Sequence, residues 1–282
     1  MMRNFEILRL KTAGVSNRGI LKLITYQKEN KEKITLRQIA HITEVKSVPN
    51  FIESYKGQDV EGLRRLYKRF PSFSILDEVY PERLKEIYNP PVLLFYQGNL
   101  DLLNLPKIGF VGSRETSKEG IKVTHKLVEE LKQKFVIVSG LARGIDTSSH
   151  VAAVRQKTPT IAVIGNGLDI SYPKENRKLQ EYLAANELVL SEYLVGDPPL
   201  KFHFPDRNRI IAGLSRGIVV VEAKQRSGSL ITSSWALEEN RDVFAVLGNI
   251  LSRNSSGCNS LIQQGAKLVT HGQDILDEYF FE

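Results

Sequence analysis

Through the first 75 or so residues, apolar side chains return every three or four positions. FEILRLKTAGV, SNRGILKLITYQK and TLRQIAHIT each show this spacing, with short Gly, Ser or Asn breaks between them. That is the period of amphipathic helices, and it predicts a small all-helical domain over residues 1–75. Four prolines (71, 81, 90 and 91) then interrupt the pattern. Proline breaks helices and is excluded from central strands. VLLFYQG (92–98) accordingly reads as a first strand near a sheet edge.

From Lys107 the rhythm changes. Short runs apolar at consecutive positions, KIGFV, FVIVS, TIAVIG, ELVLS, GIVVVEA, DVFAVL and AKLVT, alternate with helical segments. Continuous apolar runs suit strands buried on both faces of a parallel sheet. The alternation implies right-handed crossovers with helices on both sides. The expected fold is α/β, an extended Rossmann-like, doubly wound and mostly parallel sheet over residues 76–282.

In such a sheet the loops that follow strands emerge on one edge, and ligands bind there at a switch point in strand order. Here those loops carry Gly, hydroxyls, Arg and Lys. IGFVGSRETSKEG places Gly112, Ser113 and Arg114 in a turn entering a helix, whose N–H groups and dipole favour an anion. SGLARGIDTSSH supplies Gly140 and Arg143 ahead of a helix capped near Asp146 and Thr147, with His150 inside that helix as a structural residue. In YPKEN, Lys174 opens the next helix at the crevice edge, and Tyr172 either stacks on a base or packs beside Pro173. KFHFPDRNRIIAGLS offers Lys201, Arg207, Asn208 and Arg209. Its two arginines are expected in the first turn of a helix, where each opposes the helix dipole by about 0.3–1 kcal/mol unless an anion offsets it. Phe202 and Phe204 alternate with cations as in a stacking platform, although core packing is the more common fate of a Phe pair. EAKQRSGSLIT contributes Lys224, Arg226, Ser227, Gly228 and Ser229. Glu222 is the one acid placed for catalysis, and no second carboxylate or His is positioned to share acid–base work with it.

Composition narrows the classes. The 282 residues carry a net charge of +7, and residues 200–226 hold six Lys or Arg against two acids. A concentrated basic stretch is the footprint of a polyanion partner. A single cysteine, Cys258, excludes an internal disulfide and fits a reducing cytoplasm. No apolar run is long enough to span a membrane, and the N-terminus has no apolar signal core. The dinucleotide fingerprint and the P-loop are both absent. The expectation from residues alone is a phosphate-binding crevice serving a nucleic acid or nucleotide, with no metal or cofactor.

GSR (112–114), SGLARGID (139–146), GNGLD (165–169), YPKEN (172–176), FPDRNRIIAGLS (204–215) and EAKQRSGSLIT (222–232) resemble, in order and spacing, the bacterial DNA-processing protein A family (DprA/Smf). The resemblance spans about residues 70–282. The N-terminal helices are similar to the family's sterile-alpha-motif-like domain, and a winged-helix domain that many members carry at the end is not expected here. The resemblance implies single-stranded DNA binding, with Arg114 and Lys174 as contacts and the FPDRNR arginines in the same pocket. It also implies a homodimer, loading of the RecA recombinase during natural transformation, and no enzymatic activity. The dimer would form through about Ile231 to Thr270, where Trp235, Leu237, Leu251, Leu261 and Leu268 stand. The competing class is a Rossmann-fold nucleotide hydrolase of the lysine-decarboxylase-like type, whose PGGxGTxxE signature is missing.

Overall fold

The computed structural model describes residues 3–30, 32–225 and 227–279. Five helices open the chain: α1 (Asn4–Thr12), α2 (Asn17–Glu29), α3 (Leu36–Ile42), α4 (Val48–Lys56) and α5 (Val60–Arg69). Ser16, Thr35, Ser47 and Asp59 each accept an N–H from the first turn of the helix that follows and so fix where these helices begin.

The sheet begins before the first expected strand. β1 (Ser72–Ser74) pairs antiparallel with β2 (Leu93–Gly98), with the short α6 (Glu82–Lys85) between them. There follow β3 (Lys107–Val111), α7 (Lys118–Glu130), β4 (Val136–Ser139), α8 (Ile145–Arg155), β5 (Thr160–Ile164), α9 (Arg177–Asn186) and β6 (Leu188–Ser191). The chain then crosses to the other side of β3 with α10 (His203–Leu214), β7 (Gly217–Val220), α11 (Gly228–Glu238), β8 (Asp242–Val246), α12 (Ser256–Gln263), β9 (Lys267–Val269) and α13 (Gln273–Leu276). Strand order is β1-β2-β6-β5-β4-β3-β7-β8-β9. β3 through β9 pair in parallel, and β1 and β2 form an antiparallel edge on β6. The seven runs expected from Lys107 onward all form strands, and the order reverses between β3 and β7.

Three apolar clusters hold the layers. One joins α10, α11 and α12 to one sheet face through Leu94, Val138, Val163 and Ile211. Another packs α7, α8 and α13 around Ile108, Phe110 and Val219. The third runs from Ile7, Ile20 and Leu23 of the N-terminal helices to Phe95, Ile164 and Val189 of the sheet. The helical domain is thus docked on the sheet rather than tethered to it. A buried ionic knot reinforces the joint. Glu192, just past β6, accepts from Asn17 (2.6 Å) and from Arg209 of α10 (2.7 Å), with Lys11 at 3.5 Å.

Candidate nucleic-acid interface

The switch point holds a hollow of about 300 Å³ bordered by Gly112, Ser113 and Arg114 after β3, Ala142 and Asp146 after β4, Phe204, Arg207 and Asn208 of α10, and Lys224, Ser227, Gly228 and Ser229 after β7. Folding therefore brings together loops more than a hundred residues apart in sequence. A small cleft beside the hollow shares Arg114 and Phe204 with it and adds three more of the residues expected at a DNA site, Gly140, Arg143 and Tyr172. Arg226 lies outside the described residues.

Close approach explains the glycines. A Cβ on Gly140 would overlap Nη1 of Arg207, so a side chain there would displace that guanidinium. Gly144, the residue before α8, has φ of +75° and passes so near the Ser113 carbonyl that only glycine fits.

Several local expectations change in detail. α10 starts at His203, so Arg207 and Arg209 sit in its second turn and not at its dipolar end. Both are buried. Arg207 lines the hollow and donates from Nη1 to the Val163 carbonyl (2.5 Å), while its Nε has no partner among the described residues. Arg209 does not line the hollow; Glu192 holds it. The anion that offsets Arg209 is therefore internal. Nor is the start of α7 open to a ligand. Glu222 accepts from Thr116 Oγ1 (2.8 Å), Ser117 N (3.0 Å) and Ser117 Oγ (2.5 Å), and Ser117 caps the helix. The Ser113 N–H donates to the Glu222 carbonyl (2.7 Å). Glu222 thus occupies the place given to an incoming anion, and its role is to brace the Arg114 loop. An open helix end at the hollow is that of α11: no side chain among the described residues caps it, and Ser227, Gly228 and Ser229 border the hollow.

Asp146 does not cap α8, whose N-cap is Gly144. It accepts from the N–H groups of Gly140 (3.2 Å) and Ala142 (3.4 Å) and shapes the preceding loop. Burial pushes its carboxyl above the usual range, although Arg207, Arg114 and those amides pull the other way. Burial likewise weakens the hold of the Arg207 guanidinium on its proton, and the charge of Arg114 adds to that. A phosphate entering the hollow meets two guanidiniums that repel each other, with the buried Asp146 carboxylate behind them and Glu115 at the border engaged by Lys224. His150 is structural, as expected: it is fully buried and its Nδ1 lies 2.7 Å from Thr160 Oγ1.

The aromatic residues divide. Tyr172 and Phe204 meet with ring centres 5.4 Å apart, and the Arg114 guanidinium lies 5.4 Å from the Phe204 ring. These planar groups form a ladder at the mouth of the hollow. Phe202 is exposed, edge-on to His203, and borders neither cavity. Lys201 is exposed beside it. Lys174 lies in a different depression, between α9 and the end of β2, with Asp169 and Arg177. Lys224 reaches Glu115 (2.7 Å), and Arg143 is paired with Glu175. No group of His, Cys, Asp and Glu suited to a metal occurs among the described residues. No helix among them is long and apolar enough to cross a membrane.

A doubly wound, mostly parallel sheet with a cationic hollow at its switch point places the chain among Rossmann-type α/β proteins. Residues 72–280 match the family described as DNA recombination-mediator protein A, and residues 2–63 match the DNA processing protein A sterile alpha motif domain. The chain belongs to that recombination-mediator family. It is 55% identical over 278 residues to DNA processing protein DprA of Streptococcus pneumoniae, covering 99% of each chain. To the Bacillus subtilis protein of the same name it is 42% identical, over 82% of this chain and 75% of that one. The X-ray structure of the pneumococcal protein superposes with a TM-score of 0.96 at 54% identity, covering 100% of this chain and 99% of the other. A structure of Helicobacter pylori DNA processing protein A, whose single-stranded DNA binding mode it describes, matches at a TM-score of 0.66 and 29% identity, over 74% and 95% of the two chains.

Proposed function

We propose that the protein binds single-stranded DNA at the β3–β7 switch point and, as a homodimer in the cytoplasm, places a RecA-type recombinase on incoming DNA during natural transformation. The observation that carries the DNA reading is the convergence of Arg114, Arg207, Lys224 and the uncapped end of α11 on one hollow, next to the Tyr172–Phe204 pair. Cations and helix N–H groups suit phosphates, and flat rings suit unstacked bases. The single-stranded DNA binding of the Helicobacter pylori relative supports the same choice. Support for the recombinase and transformation steps comes from membership of the recombination-mediator family alone. Bond chemistry is not part of the proposal, because Glu222 is engaged by Thr116 and Ser117 and hydrogen-bonds to no acid or base side chain among the described residues.

The test is fluorescence anisotropy with oligo-dT across a salt series. If about four phosphates are neutralised, log K against log salt slopes near −3. A flat response, or tighter binding to duplex, overturns the reading. Strand exchange by RecA on DNA coated with single-strand-binding protein tests the mediator step: stimulation is expected, and none overturns it. Release of free base from nucleoside monophosphates would favour the hydrolase class instead.

A further inference from the structure

Arg114 also borders a second depression, an open groove of about 530 Å³ between α7 and α8. The floor of this groove is apolar, formed by Ile121 and Val151, and Ile121 is 40% exposed. Arg114, Arg143 and Arg155 stand at its rim with His125. Two carboxylates reach the same groove, and each is already engaged, Glu175 by Arg143 and Glu115 by Lys224. Arg114 and Arg155 pair with no carboxylate among the described residues. Burial holds His125 below the ordinary imidazole range, and Arg155 adds to that, so at neutral pH it offers a flat uncharged ring. An exposed apolar floor beneath unpaired guanidiniums matches a nucleotide, whose base is flat and apolar on its faces and whose phosphate is anionic.

We propose that the groove between α7 and α8 is a second nucleotide subsite, taking the next stretch of the strand after it passes Arg114, with phosphate on Arg155 and a base over Ile121 and His125. The inference rests on the reading of the switch-point hollow as the first subsite, since Arg114 is the wall that the two cavities share.

The experiment measures anisotropy for oligo-dT from about 2 to about 16 nucleotides, a range that brackets the usual single-strand site sizes. Wild type is compared with Arg155→Glu, Ile121→Asp and Lys122→Glu. Lys122 adjoins Ile121 on α7 but does not border the groove, so Lys122→Glu repeats the charge change without touching the subsite. The shortest oligomers, which fill only the hollow, should bind Arg155→Glu and wild type alike. Above a threshold length, Arg155→Glu should bind about tenfold more weakly, the scale of one charge-assisted hydrogen bond. Its salt slope should also shrink by roughly 0.7 for each phosphate that is no longer neutralised. Ile121→Asp should share that threshold, and Lys122→Glu should show none. Equal weakening at every length, weakening at none, or the same weakening in Lys122→Glu overturns the second subsite while leaving the first intact. Failure of wild type to bind any oligo-dT overturns both.

Discussion

The switch-point region and the far edge of the sheet depart from ordinary burial in opposite directions. Around the hollow, charge is hidden: Arg209 is 1% exposed, Arg207 3%, Glu192 6% and Asp146 8%. At the far edge, apolar side chains stand in the open: Ile250 is 89% exposed and Leu251 88% in the loop after β8, and Leu237 of α11, Leu247 and Leu268 of β9 are exposed as well. Buried charge survives only when partners compensate it, and here most of them come from the same chain, Glu192 for Arg209 and the Val163 carbonyl for Arg207. The apolar residues of the far edge have no such cover. One region completes itself on folding; the other leaves work for a second surface.

The largest effect that would sharpen this contrast comes from breaking the ionic knot. Glu192→Ala removes the acceptor that serves Arg209, Asn17 and Lys11 together. It leaves a buried guanidinium with only the half-exposed Asp206 carboxylate 3.4 Å away, and the expected loss of stability is about 3–5 kcal/mol. Chemical denaturation measures it, and a loss below about 1 kcal/mol would mean that Arg209 finds water or another partner.

Acid is the next lever. Burial, with the charge of Arg207 adding to it, pushes the His150 imidazole down to about 3. The unfolded chain takes up that proton near 6.5, so it binds more protons than the folded chain between about 3 and 6.5. Stability from this group is therefore complete above 6.5 and falls with pH through that window, by up to about 1.4 kcal/mol per unit. Glu192 acts in the same sense. Burial raises its pKa, but Lys11 and Arg209 outweigh burial and hold it below the ordinary range, so its contribution fades as pH falls through the folded value. Asp146, raised by burial, acts oppositely and eases the loss. His150→Gln should flatten the stability profile between pH 3 and 6.5; an unchanged slope would remove His150 from the account.

Gly140→Ala comes third. Its methyl would overlap the Arg207 guanidinium, and the expected cost is about 1–3 kcal/mol with weakened oligo-dT binding. Wild-type binding by a stable Gly140→Ala protein would show that the position of Arg207 does not matter to the hollow.

What could be read ahead of the structure, and what could not, follows the range of the interactions. The strands from β3 to β9 were legible because a run such as TIAVI is apolar at every position, a local signal of burial on both faces. β1 was not, since Ser-Phe-Ser is three residues with two hydroxyls, and only its register against β2 makes it a strand. The start of α10 was misplaced because Pro205 and Asp206 look like a helix opening, whereas proline is tolerated anywhere in the first turn and His203 begins it. The hollow was foreseen as a row of loops after strands. The job of Glu222 was not, because its partners Thr116 and Ser117 lie over a hundred residues away on the neighbouring strand's loop. Glu192 went unnoticed altogether, although an acid directly after the buried run LVLS, with a surplus of arginines in the helix that follows, was a usable signal.

The smallest expected change in stability belongs to the far edge, and it is the sharpest test of the contrast. Leu251 and Ile250 lie in the loop between β8 and α12, almost wholly exposed, so replacing either by Asp removes no packing within the chain. Surface changes of that kind alter stability by less than about 0.5 kcal/mol. In the proposed homodimer the same carboxylate would be buried against a second copy, where an unpaired charge is costly. Wild type should sediment as a dimer of a 31.9 kDa chain at micromolar concentration, and Leu251→Asp as a folded monomer whose melting temperature falls only by the association it has lost. Monomeric wild type would erase the contrast, since the exposed leucines would then need no partner. A Leu251→Asp protein that stays dimeric would move the interface elsewhere in residues 231–270, with Leu237 and Leu268 as the next positions to change.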